Sequence, residues 1–240
     1  LRPAGYQTLI GITHYDPVEE EQLLREQLMH RPAGLLVTGF DPREGIRTLI
    51  ANSGVPCVHL MEISHEPGVY SVGFSQEAAG ESITRHLLER GRRRVAFAAA
   101  QLDPRTLQRA EGYRRCLREA GLYDESLEWL SREKSSIALG AQMFEQIMAR
   151  EPHPDAIFFC NDDLAQGALL AALRAGINVP ERVAVAGFND LPGSDQTLPP
   201  LTTVQTPRVE IGIQASTMLL RLMRDEHVEP SYVDVGYKLT

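Results

Sequence analysis

Short apolar runs punctuate the chain at TLIGI (8–12), GLLVTG (34–39), VPCVHLM (55–61), YSVGF (70–74), RVAFAAA (94–100), AIFFC (156–160) and VAVAGF (183–188). Several are apolar at consecutive positions rather than at alternate ones, the pattern of a strand buried on both faces, so they predict strands of parallel sheet. Stretches with helical periodicity lie between most of them. In DPVEEEQLLREQLMH, Asp16 is placed to cap a helix whose first residue is Pro17, and Leu23, Leu24 and Leu28 fall on one face. QEAAGESITRHLLERG, TLQRAEGYRRCLREAG and DLAQGALLAALRAG each end in a glycine, at Gly91, Gly121 and Gly176, a helix stop signal. Repeated strand and helix units predict a doubly wound α/β architecture with right-handed crossovers.

Two of the apolar runs stop abruptly at short polar side chains. VAVAGF runs into Asn189 and Asp190, and AIFFC into Asn161, Asp162 and Asp163. Ligands of open parallel sheets bind beyond the carboxyl ends of the strands, so a row of polar strand ends lines a crevice. Thr38 ends LLV and Phe74 ends SVGF in the same way. The competing reading of Asn189 and Asp190 is a turn ahead of Pro192 and Gly193. Arg109, in the helix after RVAFAAA, would bring to such a crevice a planar cation able to hold a carboxylate through two parallel bonds. Its alternative is a surface ion pair with Glu111.

Composition narrows the choices. With 240 residues, 43% hydrophobic and 23% charged, the chain has the balance of a globular protein large enough for two modest domains. No apolar run reaches membrane-spanning length and the start lacks the order of a signal peptide, so the expected location is cytoplasmic, without a membrane partner. The three scattered cysteines, Cys57, Cys116 and Cys160, suit reduced thiols. A net charge of −8 makes the chain a poor nucleic-acid binder by itself.

Enzyme signatures are missing. GFSQE (73–77) starts like a nucleophile elbow but has Glu77 where the turn needs glycine. Phosphate-loop, dinucleotide and paired-cysteine motifs do not occur, and the seven histidines, His14 among them, are scattered. No catalytic residue, metal site or cofactor is therefore expected. The cluster Arg90, Arg92, Arg93 and Arg94 reads as a solvated helix end and strand entry.

Taken together, RAEGY (109–113), CNDDLAQGAL (160–169), VAGFND (185–190) and PPLTTV (199–204) resemble the ligand-sensing core of the lactose-repressor and galactose-repressor transcriptional regulators. VGFSQEAAG and HLLERGRRRVAF agree in order and spacing, so the resemblance covers nearly the whole chain. It implies a periplasmic-binding-protein-like fold: two doubly wound parallel-sheet lobes with an effector in the cleft between them. On that pattern the N-terminal lobe spans residues 1–74 and 207–229, and the C-terminal lobe 75–206 and 230–240. It further implies a homodimer that contacts operator DNA through a headpiece which, with the first core strand, would precede LRPAGYQTLIG.

Many sugar-sensing members of that family have Asp where this chain has Asn189. An anionic ligand beside a buried carboxylate suffers repulsion of roughly 4 kcal/mol at 4 Å and an effective dielectric constant of about 20, and Asn removes it. The FND variant, CNDDLA and the GYQTLIGITHYDPVEEE opening resemble the gluconate-repressor branch, so the implied effector is gluconate or a related aldonate. Arg109 would hold its carboxylate, Asn161, Asn189 and Asp162 would meet it from one lobe, Thr38 and Tyr15 from the other, and Phe74 would form an apolar wall. The alternatives are a periplasmic-type sugar-binding protein, a regulator for a neutral sugar, a sugar-acid enzyme, or an interaction domain whose cleft has lost its ligand.

Overall fold

A computed structural model describes residues 1–13, 15–40 and 44–240; His14 lies outside them. The chain divides into two compact units, residues 1–75 with 207–236, and 76–206 with 237–240.

The first unit carries a parallel sheet in the order β1 (Leu35–Thr38), β2 (Cys57–Leu60), β3 (Tyr70–Gly73), β9 (Tyr232–Asp234), strands being numbered in chain order. Three helices accompany it, α1 (Pro17–Met29), α2 (Glu44–Ser53) and α7 (Arg208–Leu222), of which α7 packs on β1, β2 and β3. The carboxylate of Asp16 accepts hydrogen bonds from the Val18 and Glu19 amides, so the expected cap of α1 is made.

The second unit repeats the plan with the order β5 (Glu128–Leu130), β4 (Val95–Ala99), β6 (Ala156–Phe159), β7 (Ala184–Ala186), again all parallel. Every residue of β4 and β6 is buried, as their unbroken apolar runs require. Helices α3 (Gln76–Glu89) and α4 (Pro104–Glu119) pack together, as do α5 (Ile137–Met148) and α6 (Asp162–Ala175). Two short strands, β8 (Val204–Gln205) and β10 (Lys238–Leu239), form an antiparallel ribbon. Gly91, Gly121 and Gly176, the expected helix stops, all have positive φ.

Two expectations need correction. TLIGI (8–12) does not form a strand: a strand needs a hydrogen-bonded neighbour, and among the described residues β1, the edge of its sheet, pairs only with β2. A cavity of about 570 Å³ lies along the segment, with Leu9, Ile10, Gly11, Leu35, Val37 and Thr38 among the residues that line it. The C-terminal lobe was expected to take residues 230–240, yet β9 completes the first unit's sheet by pairing with β3, and only residues 237–240 join the second unit.

Among the described residues no helix is long and apolar enough to cross a membrane, and no cluster of His, Cys, Asp or Glu could hold a metal ion. In the basic cluster Arg90 and Arg93 are exposed, and Arg92 and Arg94 bond a loop carbonyl and an acid. Arg92 donates to the Pro180 carbonyl at 2.7 Å and Arg94 to the carboxylate of Asp124 at 3.1 Å.

Candidate functional site at the carboxyl ends of the second sheet

The positioning of Arg109 begins with two glycines. A Cβ on Gly80 of α3 would meet the Arg109 carbonyl oxygen at 2.4 Å, and one on Gly112 of α4 would meet the Glu77 carbonyl oxygen at 2.0 Å. The two helices therefore touch backbone to backbone, and Arg109 is held against the first turn of α3. The α4 N-terminus is secured by Asp103, whose carboxylate accepts from the amides of Arg105 and Thr106 and from the Thr106 hydroxyl.

Arg109 is buried, with 8% of its surface exposed. Its Nε donates to Oε1 of Gln76 at 2.8 Å and its Nη1 to the Cys160 carbonyl at 2.7 Å, while the guanidinium stacks on Phe188. Glu111, the alternative partner, instead meets Arg114 and Arg118. Burial alone would push the Asp103 carboxyl up, but the charges of Arg105 and Arg109 and the bonds from Thr106 outweigh it and hold the carboxyl below its ordinary range.

These contacts bring two strand ends together. Cys160 immediately precedes Asn161 and Phe188 immediately precedes Asn189, so the Arg109 side chain touches the residue before each asparagine. The Asp162 amide donates to the Phe188 carbonyl at 3.0 Å, tying the end of β6 to the segment after β7.

Asn161 is the N-cap of α6. Its Oδ1 accepts from the Leu164 amide at 3.1 Å, and its Nδ2 donates to the Ser135 hydroxyl at 2.8 Å. Asn189 is half-buried, donates its amide to the Val204 carbonyl at 3.0 Å and accepts at Oδ1 from the Thr206 hydroxyl at 3.4 Å. Its φ of 114°, followed by 51° at Asp190, lies where side-chain-bearing residues are strained. An unconstrained turn would relax these angles, so the polar end of VAVAGFND is a specified elbow.

Asp162 departs from its expected role as a ligand contact. It is fully buried and its carboxylate is occupied by the Leu191 amide at 2.7 Å, the Thr203 hydroxyl at 2.7 Å and the Ser194 hydroxyl at 3.2 Å. Burial pushes its carboxyl up, against the opposing effect of those donors. Phe74 also departs from expectation: 1% of its surface is exposed, so it offers no open apolar wall.

In the first unit, Thr38 closes β1 and is exposed, and Tyr15 is 57% exposed ahead of α1 with a φ of 62°. Gln76, Phe188 and Thr203 were missed from the sequence. A glutamine opening a helix two residues after the apolar run YSVGF was the one local signal, and it marked Gln76.

Comparison with known proteins identifies the family. A family model described as a periplasmic binding protein-like domain matches residues 84–240. The chain is 53% identical over 239 residues to the HTH-type transcriptional regulator GntR of Pseudomonas aeruginosa, covering 100% of this chain and 70% of that protein. It is 32% identical over 236 residues to the regulator of the same name from Escherichia coli, covering 98% of this chain and 71% of that protein. The crystal structure of the transcription regulator GntR from Chromobacterium violaceum superposes with a TM-score of 0.95 at 48% identity, covering 100% of this chain and 88% of that one. A LacI-family regulator from Silicibacter pomeroyi superposes with a TM-score of 0.91 at 30% identity, covering 98% and 72%. These relatives are regulators rather than enzymes. With its two parallel sheets and this match, the chain belongs to the LacI family of transcriptional regulators, as a periplasmic-binding-protein-like effector-binding domain.

Proposed function

We propose that the chain senses a sugar acid, gluconate or a related aldonate, and that its occupancy controls DNA binding by the longer regulator to which it belongs. The observation that carries the reading is the buried Arg109 guanidinium at the carboxyl ends of β6 and β7, next to a strand end occupied by neutral Asn189. A carboxylate matches the planar guanidinium in charge and shape, and an amide at position 189 accepts hydroxyl partners without repelling an anion.

In this reading Arg109 takes the ligand carboxylate, and Asn189 and Asn161 take hydroxyls. Thr38 and Tyr15 are exposed in the first unit and are proposed as that unit's polar ligand residues. The GntR name of the relatives supports the sugar-acid class. The relatives are called HTH-type, which supports a separate DNA-contacting segment, a homodimer on operator DNA and a cytoplasmic location for the whole regulator. Ligand occupancy can shift such a regulator only by the difference in its affinity for the two conformations.

The test is a melting-temperature screen of this chain against gluconate, other aldonates, their phosphorylated and keto forms, and the matching neutral sugars, followed by titration calorimetry. A specific ligand raises the melting temperature by mass action. Saturable binding of an aldonate with little response to glucose is the expected result. Preference for the neutral sugar, or no response to any aldonate, overturns the ligand class.

A further inference from the structure

We propose that Asp162 is the positioning residue of this site, gripping the Asn189–Asp190 elbow from both ends so that the Asn189 amide is presented in one orientation. The inference rests on the ligand role proposed for Asn189 and goes beyond it by naming what sets that residue's geometry.

Four backbone groups in a row across the elbow are bonded. The Phe188 carbonyl accepts from the Asp162 amide at 3.0 Å and the Asn189 amide donates to the Val204 carbonyl at 3.0 Å. The Asp190 amide donates to the Thr203 hydroxyl at 3.3 Å, and the Leu191 amide to Asp162 Oδ2 at 2.7 Å. The Thr203 hydroxyl in turn donates to Asp162 Oδ1 at 2.7 Å. One residue therefore holds position 188 through its main chain, position 191 through one carboxylate oxygen, and position 190 through the other oxygen by way of a hydroxyl.

Strained φ values persist where the surroundings over-determine them, and these bonds surround the pair at 114° and 51°. The neighbouring sequence accommodates the carboxylate: a Cβ on Gly187 would meet Asp162 Oδ1 at 2.3 Å, so a side chain there would displace it. Asp162 itself has no exposed surface, which separates holding the elbow from touching the ligand.

The test uses Thr203→Val, which keeps shape and removes the hydroxyl linking Asp162 to the Asp190 amide, together with Asp162→Asn. Tyr113→Phe serves as the control, because it removes a buried hydroxyl bonded at 2.8 Å to the carbonyl of Val95, the first residue of β4, whereas the elbow follows the carboxyl end of β7, and because it lies outside this network. Calorimetry with gluconate should show affinity falling roughly tenfold or more in Thr203→Val and Asp162→Asn, the scale of a buried donor left unpaired. Tyr113→Phe should lower the melting temperature with affinity unchanged. In an Asn189→Ala background, Thr203→Val should cause no further loss. Wild-type affinity in Thr203→Val, or equal losses in Thr203→Val and Tyr113→Phe, overturns the proposal. If wild type fails to bind gluconate, the sugar-acid reading is lost and amide exchange without ligand decides the positioning role. Faster exchange at Asp190 and Leu191 in both variants, with α3 unchanged, supports it; unchanged exchange there overturns it.

Discussion

The guanidinium carbon of Arg109 lies 3.8 Å from the centroid of the Phe188 ring. The stack, with the bonds to Gln76 and the Cys160 carbonyl, fixes both the plane and the rotation of the guanidinium. An ammonium could reproduce the charge but neither the stack nor the fork.

Arg109→Ala should abolish gluconate binding and also destabilise the second unit by about 1 to 3 kcal/mol, because the Cys160 carbonyl and the Gln76 amide lose a buried donor. Arg109→Lys should recover only part of the affinity. Calorimetry and thermal melts of both variants check this, and unchanged affinity in Arg109→Ala would place the site elsewhere.

Asn189→Asp should weaken gluconate binding by about 1 to 3 kcal/mol at pH 7, through repulsion between carboxylates and the lost amide donor. A neutral sugar should lose far less. The introduced carboxyl, placed beside a bound anion, has its pKa raised, so the penalty should shrink as pH falls and the group regains its proton. Titrations of both ligands at two pH values measure this.

Gly112→Ala should destabilise the second unit by about 1 to 3 kcal/mol or more, since the new methyl meets the Glu77 carbonyl oxygen at 2.0 Å and forces α3 and α4 apart. Arg109 is carried on the same helix, so gluconate affinity should fall with stability. Loss of stability with wild-type affinity would separate the helix contact from the site.

Arg114 makes two bonds to the Glu128 carboxylate, at 2.7 and 2.5 Å, joining α4 to the edge strand β5. Burial pushes the Glu128 carboxyl up, but the bonds from Arg114 and Tyr123 outweigh it and its pKa lies below the ordinary 4.5. A carboxyl whose folded pKa is lowered stabilises the fold above its unfolded value and loses that contribution as pH falls through the folded value. Arg114→Leu should therefore cost about 2 kcal/mol at pH 7, with the gap to wild type closing under acid conditions, as read by denaturant titration across pH.

Much of the fold was legible because burial on both faces writes itself into a strand as consecutive apolar residues. RVAFAAA, AIFFC and VAVAGF became β4, β6 and β7 for that reason. Short edge elements carry no such mark: Glu128–Leu130 has only three residues, one of them charged, and was not foreseen as β5. TLIGI shows the converse, since an apolar pattern states what a segment would bury and says nothing of whether a neighbour is there to pair with it.

By itself the sequence determined the α/β class, the capping of α1 by Asp16 and the glycine stops, and it marked Arg109, Asn161 and Asn189 as strand-end or helix positions worth watching. Those features depend on neighbours a few residues away, and local pattern records them. Only the tertiary structure decided that Arg109 rests on Phe188 and Gln76, that Phe74 is buried, and that Asp162 faces inward to Thr203 and Leu191. Asp162 and Asn161 are adjacent polar residues opening one helix and look alike as letters. Which of them keeps exposed surface depends on where α6 sets its first turn against a segment 29 residues further along, a separation that no local pattern of residue types encodes.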